Sequence, residues 1–173
     1  MTARTGAARW LPLGLMLLCL APCVRAAPPA EGLLVGRVTR VADGDTLQLQ
    51  QGPHSVAVRL AAIDAPEMTQ AHGTEARDAL HACAFGRLVT VRVRATDRHG
   101  RAVGTVESAG RDCGLVQLQA GLAWHARAYS HEQTHSEREH YSAAERAARQ
   151  RRQGLWAEAT PQTPWEFRRL NPH

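Results

Sequence analysis

Apolar and polar residues alternate in short runs over most of positions 33–106, the period-two signature of half-buried strands. Leu33, Val35 and, more weakly, Val38 and Val41 mark a first strand at 33–41. Leu47 and Leu49 against Gln48 and Gln50 mark a second at 46–50. Val56, Val58 and Leu60 mark a third at 55–62, with Arg59 on the opposite face. Val89, Val91 and Val93 carry a fourth at 88–95, and 102–106 is a fifth. Turn chemistry separates them at Ala42-Asp43-Gly44-Asp45, Gln51-Gly52-Pro53 and Asp97-Arg98-His99-Gly100-Arg101. The period becomes helical at three places. At 73–85, Ala76, Ala79, Leu80 and Cys83 form an apolar face that Gly86 ends. The second helix, 113–120, closes at Gly121; the third, 141–153, carries Ala144, Ala147 and Ala148, with Ser136 or Ser142 as its cap. This order predicts an α+β chain: a five-stranded OB-type β-barrel with three α-helices. Trp124 and Trp156 are assigned to its core, and the tail at 159–173, with Pro164-Trp165-Glu166-Phe167, is aromatic enough to pack back onto the domain.

Residues 1–26 stand outside this pattern. Arg4 and Arg9 precede an apolar run at 10–20, and Val24-Arg25-Ala26 is a small-x-small cleavage signal, the layout of a secretory signal peptide. The run is short for a membrane span, and Pro12 and Pro22 argue against one. An uncleaved anchor and a lipoprotein signal at Cys23 are the alternatives, and Pro22 directly before Cys23 suits the second poorly. Cleavage near Ala26 makes the product secreted or periplasmic and starts it at Ala27. A Pro- and Ala-rich linker at 27–32 then leads into one domain at 33–158.

Composition narrows the function classes. All 21 basic residues are Arg, which stays charged and can grip a phosphate with two N–H groups at once. Three of them fall in 1–26, so the remaining 18 face 16 acids, a balance of +2. That mild balance does not imply a large nonspecific basic surface, and any affinity for nucleic acid must come from local clusters. Of the four Cys, Cys19 and Cys23 leave with the signal. Cys83 and Cys113 remain; an oxidising destination invites a disulfide between them, and two buried thiols are the alternative.

The densest chemistry lies at 43–67. Folding the second and third strands into a hairpin brings Asp45, Arg59, Asp64 and Glu67 together. Carboxylates beside an Arg make little sense as core packing and good sense as a metal-plus-phosphate site. All-oxygen ligands suit Ca²⁺ or Mg²⁺ rather than zinc. A rival motif, His131-Glu132-Gln133-Thr134-His135, fits H-E-x-x-H, but zinc protease chemistry needs both His on one face of a helix. This polar stretch is expected to be an exposed loop.

Six pieces in order resemble one family: Val41-Ala42-Asp43-Gly44-Asp45-Thr46, Val58-Arg59-Leu60, Ile63-Asp64-Ala65-Pro66-Glu67, Asp97-Arg98-His99-Gly100-Arg101, Gly121-Leu122-Ala123-Trp124 and Gly154-Leu155-Trp156. From about Leu33 to Trp156 the chain is similar to the staphylococcal nuclease-like (thermonuclease) family. The resemblance implies an OB barrel with three helices. It implies a Ca²⁺-dependent endonuclease, with Mg²⁺ the less favoured ion, acting on DNA and RNA and cutting the 5′ P–O bond to leave 3′-phosphates. It carries Arg59, Glu67 and Arg101 over as catalytic residues, and Asp45, Asp64 and the Ala65 backbone carbonyl as metal ligands. Glu67 is either the general base for the attacking water or only orients it. Arg98, His99 and Tyr129 fall beside the substrate. Ala65 stands where the family has Thr, His99 where it often has Tyr, and Arg127 where the type member has another Tyr. A carbonyl is common to all residues, so these departures bear on base preference more than on activity. The expected protein is a monomer with no stable protein partner and no membrane span once cleaved. The contrasting class is a non-catalytic OB-fold nucleic-acid-binding module. The presence of all of Asp45, Arg59, Asp64, Glu67 and Arg101 favours the enzyme.

Overall fold

In the computed structural model, residues 24–25 and 32–172 are described. The expected signal segment apart from Val24–Arg25, and the linker at 27–31, lie outside the described residues. Strand β1 (Gly32–Val41) runs antiparallel to β2 (Thr46–Gln51) on one side and to β4 (Leu88–Thr96) on the other. β2 pairs with β3 (His54–Leu60), and β4 with β5 (Ala102–Ser108). Parallel pairs Val58–Ala102, Arg59–Val103 and Leu60–Gly104 join β3 to β5 and close the five-stranded OB-type barrel that the pattern predicts. Val24–Arg25 adds a short parallel pairing to the other half of β3, at His54 and Ser55.

The interior follows the alternation on four strands: Leu47, Leu49, Val56, Val58, Leu60, Val89, Val91, Val93 and Val106 are buried. On β1 the phase differs from the expectation. Leu34 and Val38 face the core, while Leu33 and Val35 are 63% and 42% exposed. Gly36 lies so close to β2 that a Cβ there would sit 2.4 Å from the Gln50 carbonyl oxygen. The strand's inward face is therefore Leu34, Gly36 and Val38, and the period of two sends residues 33 and 35 outward.

Helix α1 (Gly73–Ala84) buries Ala76, Leu80, Cys83 and Ala84. Its Cys83 is bonded to Cys113 at the start of α2 (Cys113–Gln119), with Cα atoms 6.0 Å apart across 30 residues of sequence. Closing a loop of that size stabilises the fold by roughly 3–4 kcal/mol in the chain-entropy account. Asp112 caps α2 by accepting from the Gly114 and Leu115 amides, and its other oxygen accepts from the Tyr141 hydroxyl of α3 at 2.8 Å.

Two helices correct the sequence expectation. α3 spans His135–Gln150 and so begins well before 141, because Thr134, not Ser136 or Ser142, caps it in a reciprocal box with Glu137. The H-E-x-x-H stretch is consequently not an open loop: a 3-10 turn covers Arg127–Glu132 and α3 starts at His135, which places the two histidines on different elements. A fourth helix, α4 (Pro164–Leu170), joins the expected three. Thr163 and Glu166 form its capping box, Pro164 is buried in its first turn, and the Trp165 ring meets Trp124 at 6.4 Å. Trp124 is buried, whereas Trp156 is only half-buried, with the Arg149 guanidinium 4.1 Å above its ring. Among the described residues, no helix is long and apolar enough to cross a membrane.

Candidate active site

The β1–β2 turn sets the first acid. Asp43 accepts from the Asp45 amide at 3.0 Å, so Asp43 shapes the turn and Asp45 projects from it. Gly44 is required by packing: a Cβ there would lie 2.6 Å from the Cβ atoms of both Ala65 and Ala76. From below, the buried Gln117 of α2 donates to the Gly44 carbonyl at 2.5 Å and to the Ala76 carbonyl at 2.7 Å. The Asp45 side chain is then fixed by three donors: the Ala65 amide to Oδ2 at 3.0 Å, and Arg59 and the Thr46 hydroxyl to Oδ1 at 2.8 and 3.0 Å.

Arg59 lies opposite Thr46 in the β2–β3 ladder, on the face away from the core. Its second Nη donates to Asp64 Oδ1 at 2.9 Å, so one guanidinium bridges both aspartates. Asp64 arrives by a sharp reversal after β3. Ala62 adopts φ 60°, an unusual value for a residue with a Cβ, and Ile63–Asp64 then pairs with Trp124–His125. Glu67 follows beyond Pro66, its backbone amide held by Gln70 at 3.2 Å and its carbonyl packed under Gly73.

Burial pushes the Asp45 carboxyl up to about 7, with Arg59 pulling it down and Asp43 adding to the rise. The Arg59 guanidinium is desolvated too, but Asp45 and Asp64 raise it further above its ordinary value.

The structure brings Asp45, Arg59, Asp64 and Glu67 into one cluster, and all but Asp64 line an open cleft of about 860 Å³. Arg101 lines the same cleft beside Thr46. Its Nε donates to Asp97 at 2.7 Å and its Nη1 lies 3.5 Å from the Thr46 hydroxyl. Asp97 also accepts the His99 and Arg101 amides, and although burial works against it these bonds hold its carboxyl below the ordinary range. Arg98, His99 and Tyr129 line the same cleft as exposed side chains, Arg98 and His99 in contact at 3.1 Å. The 3-10 turn carrying Tyr129 is anchored by the buried Glu145, which accepts from the His125 amide and from Arg127.

The donor set for a cation is oxygen throughout. Asp45 Oδ2 and Asp64 Oδ2 each accept a single hydrogen bond among the described residues, which leaves a lone pair on each. Among those residues no group of three or more His, Cys, Asp or Glu is placed to hold a metal ion together, so a cation here would rest on two carboxylates, a carbonyl and water. Such a site fits a hard, exchangeable ion.

One member of the cluster is absent from the sequence expectation. Arg168 of α4 donates to Asp64 Oδ1 and Oδ2 at 3.2 and 2.8 Å and to Glu67 Oε1 at 2.7 Å. These bonds raise its pKa above the ordinary guanidinium value. Gln70, whose side chain receives the Glu67 amide, donates to the Gln162 carbonyl at 2.6 Å and so ties the tail to the acidic loop. Pro164-Trp165-Glu166-Phe167 signals a docked tail, but nothing in it points to Asp64.

A profile of the staphylococcal nuclease homologue family matches residues 57–158. The chain is 39% identical over 156 residues to Protein ParB of Escherichia coli, covering 83% of this chain and 84% of the relative. It is 35% identical over 152 residues to a micrococcal nuclease of Shigella flexneri, covering 83% and 85%. It is also 40% identical over 112 residues to the staphylococcal-like nuclease CAN1 of Arabidopsis thaliana, covering 65% of this chain and 33% of that protein. The profile match contains Arg59, Asp64, Ala65, Glu67, Arg101 and Tyr129; Asp45 precedes it and α4 follows it.

Proposed function

The chain belongs to the staphylococcal nuclease family and is a nuclease, and from that premise we propose that it is an exported, Ca²⁺-dependent endonuclease of DNA and RNA. The observation that carries the reading is the cluster itself: two buried aspartates bridged by Arg59, with Glu67 beside them and Arg101 in the same cleft. Export is supported by the n-region, apolar run and Val24-Arg25-Ala26 site, and fits the Cys83–Cys113 bond.

Asp45, Asp64 and the Ala65 carbonyl would hold the cation; the all-oxygen donor set suits Ca²⁺ or Mg²⁺, and the family resemblance favours Ca²⁺. When bound, the ion supplies positive charge at the scissile phosphate. Arg59 and Arg101 donate N–H groups to the phosphoryl oxygens, where negative charge grows in the transition state. Glu67 takes a proton from, or orients, the attacking water. The water oxygen bonds to phosphorus, the bond to O5′ breaks and O5′ gains a proton, giving a 3′-phosphate and a 5′-hydroxyl. Arg98, His99 and Tyr129 flank the nucleotide, and Trp124 pairs with Asp64 on the neighbouring strand.

The test is degradation of plasmid, single-stranded DNA and RNA by the purified protein. Cleavage is expected with Ca²⁺, not with EDTA, and is expected to fall by about 10²–10³-fold in Glu67→Ala and Arg101→Ala. A folded wild-type protein that cuts none of these with any divalent ion would leave only a nucleic-acid-binding module.

A further inference from the structure

A second groove, of about 720 Å³, opens off the catalytic cleft and shares Arg59, Tyr129 and Arg168 with it. Trp165 of α4 forms one of its walls and remains 49% exposed although its ring meets Trp124. Tyr129, 57% exposed, stands where the two spaces join. Across from α4, Arg127 gives one Nη to Glu145 at 2.9 Å, yet 62% of its side chain is open to solvent. Four arginines line the groove, Arg59, Arg127, Arg149 and Arg168, against the two carboxylates Asp64 and Glu145. Arg59 and Arg168 are committed to Asp45, Asp64 and Glu67, whereas Arg127 and Arg149 share Glu145 and stay largely open to solvent. Open aromatic surface beside these two solvent-facing guanidinium groups fits the two faces of a polynucleotide, its bases and its phosphates.

We propose that this groove is a second nucleotide subsite. It takes the strand as it runs on from the catalytic cleft, with a base stacked on Trp165 and a phosphate against Arg127. The proposal rests on the nuclease reading. A polynucleotide is the occupant because the groove shares Arg59, Tyr129 and Arg168 with the cleft and presents the open Trp165 ring and the solvent-facing Arg127 and Arg149. Trp165 and Arg168 lie beyond the residues matched by the family profile, so part of this subsite comes from the chain's own C-terminal helix.

The experiment is fluorescence anisotropy in EDTA with four labelled probes. They are a dinucleotide, a hexanucleotide, and two hexanucleotides with abasic sugars outside one or the other terminal dinucleotide. Wild type is expected to bind the intact hexanucleotide about tenfold tighter than at least one abasic version, the scale of one base–aromatic stack. Trp165→Ala brings the intact hexanucleotide down to that abasic level. Arg127→Gln weakens intact and abasic hexanucleotides alike. Leu170→Ala, also on α4 but 65% exposed and away from the groove, keeps the wild-type pattern. A wild type that binds intact and abasic strands equally overturns the proposal. A loss in Trp165→Ala with no change in Arg127→Gln overturns it too, since that combination means only that α4 has come undocked. Binding in the expected pattern without Ca²⁺-dependent cleavage upholds the subsite and sinks the nuclease reading; cleavage without the pattern does the reverse.

Discussion

Asp45 holds a carboxyl 3% exposed at the barrel mouth, and burial lifts it to about 7 despite Arg59. In an unfolded chain an Asp titrates near 3.9. Between about pH 4 and 7 the folded chain keeps a proton that the unfolded chain has lost, so the contribution of Asp45 to stability declines as pH rises through that window. Asp97 and Glu137 act in the other direction. Burial works to raise both, but hydrogen bonds hold them below their ordinary values, so their contributions are present at neutral pH and lost as pH falls. Asp45→Asn carries no charge to desolvate. In EDTA at pH 8 it is expected to melt a few degrees above wild type, at roughly 2–4 °C per kcal/mol for a domain of this size, with the gap closing towards pH 5. Cleavage is lost in the same variant. Thermal melts at the two pH values check this, and a variant that melts below wild type at pH 8 refutes it. The gathering of Asp45 and Asp64 around Arg59 was legible because carboxylates beside an Arg have no packing rationale. The extent of their burial was not, since it depends on helices far along the chain.

At the level of elements, the strands were readable wherever alternation was unambiguous. β1 was the exception: Leu33, Leu34 and Val35 are all apolar, and only the approach of Gly36 to Gln50 selects Leu34 for the core. α4 escaped the pattern because seven residues give too little periodicity, even with Thr163 and Glu166 marking its start. Gln117 shows how elements hold the site. It joins the Gly44 turn, α1 and α2 through two buried hydrogen bonds. Gln117→Leu strands both carbonyls without this donor and is expected to cost about 2–4 kcal/mol. It should also lower kcat, because the turn it clamps carries Asp45. Urea unfolding together with steady-state kinetics checks both; a stability loss with kcat unchanged would show that Gly44 packing alone fixes the turn.

Across the whole molecule, the C-terminal helix reaches back 104 residues to place Arg168 on Asp64. Its guanidinium engages both oxygens of a proposed metal ligand, so a cation must share them with an existing positive charge. Arg168→Ala is expected to bind Ca²⁺ at least about tenfold more tightly, the scale of one charge-assisted hydrogen bond. Isothermal titration calorimetry measures this, and unchanged affinity would show that Arg168 does not oppose the ion. Sequence alone determined the barrel, because strand period and turn residues are local properties of the chain. It also determined the acids and arginines of the 43–67 segment, because their chemistry has few other uses at that spacing. Tertiary structure decided the phase of β1, the depth of Asp45, the clamp by Gln117 and the entry of Arg168. Each of these depends on which distant surfaces meet, and one-dimensional periodicity holds no record of that.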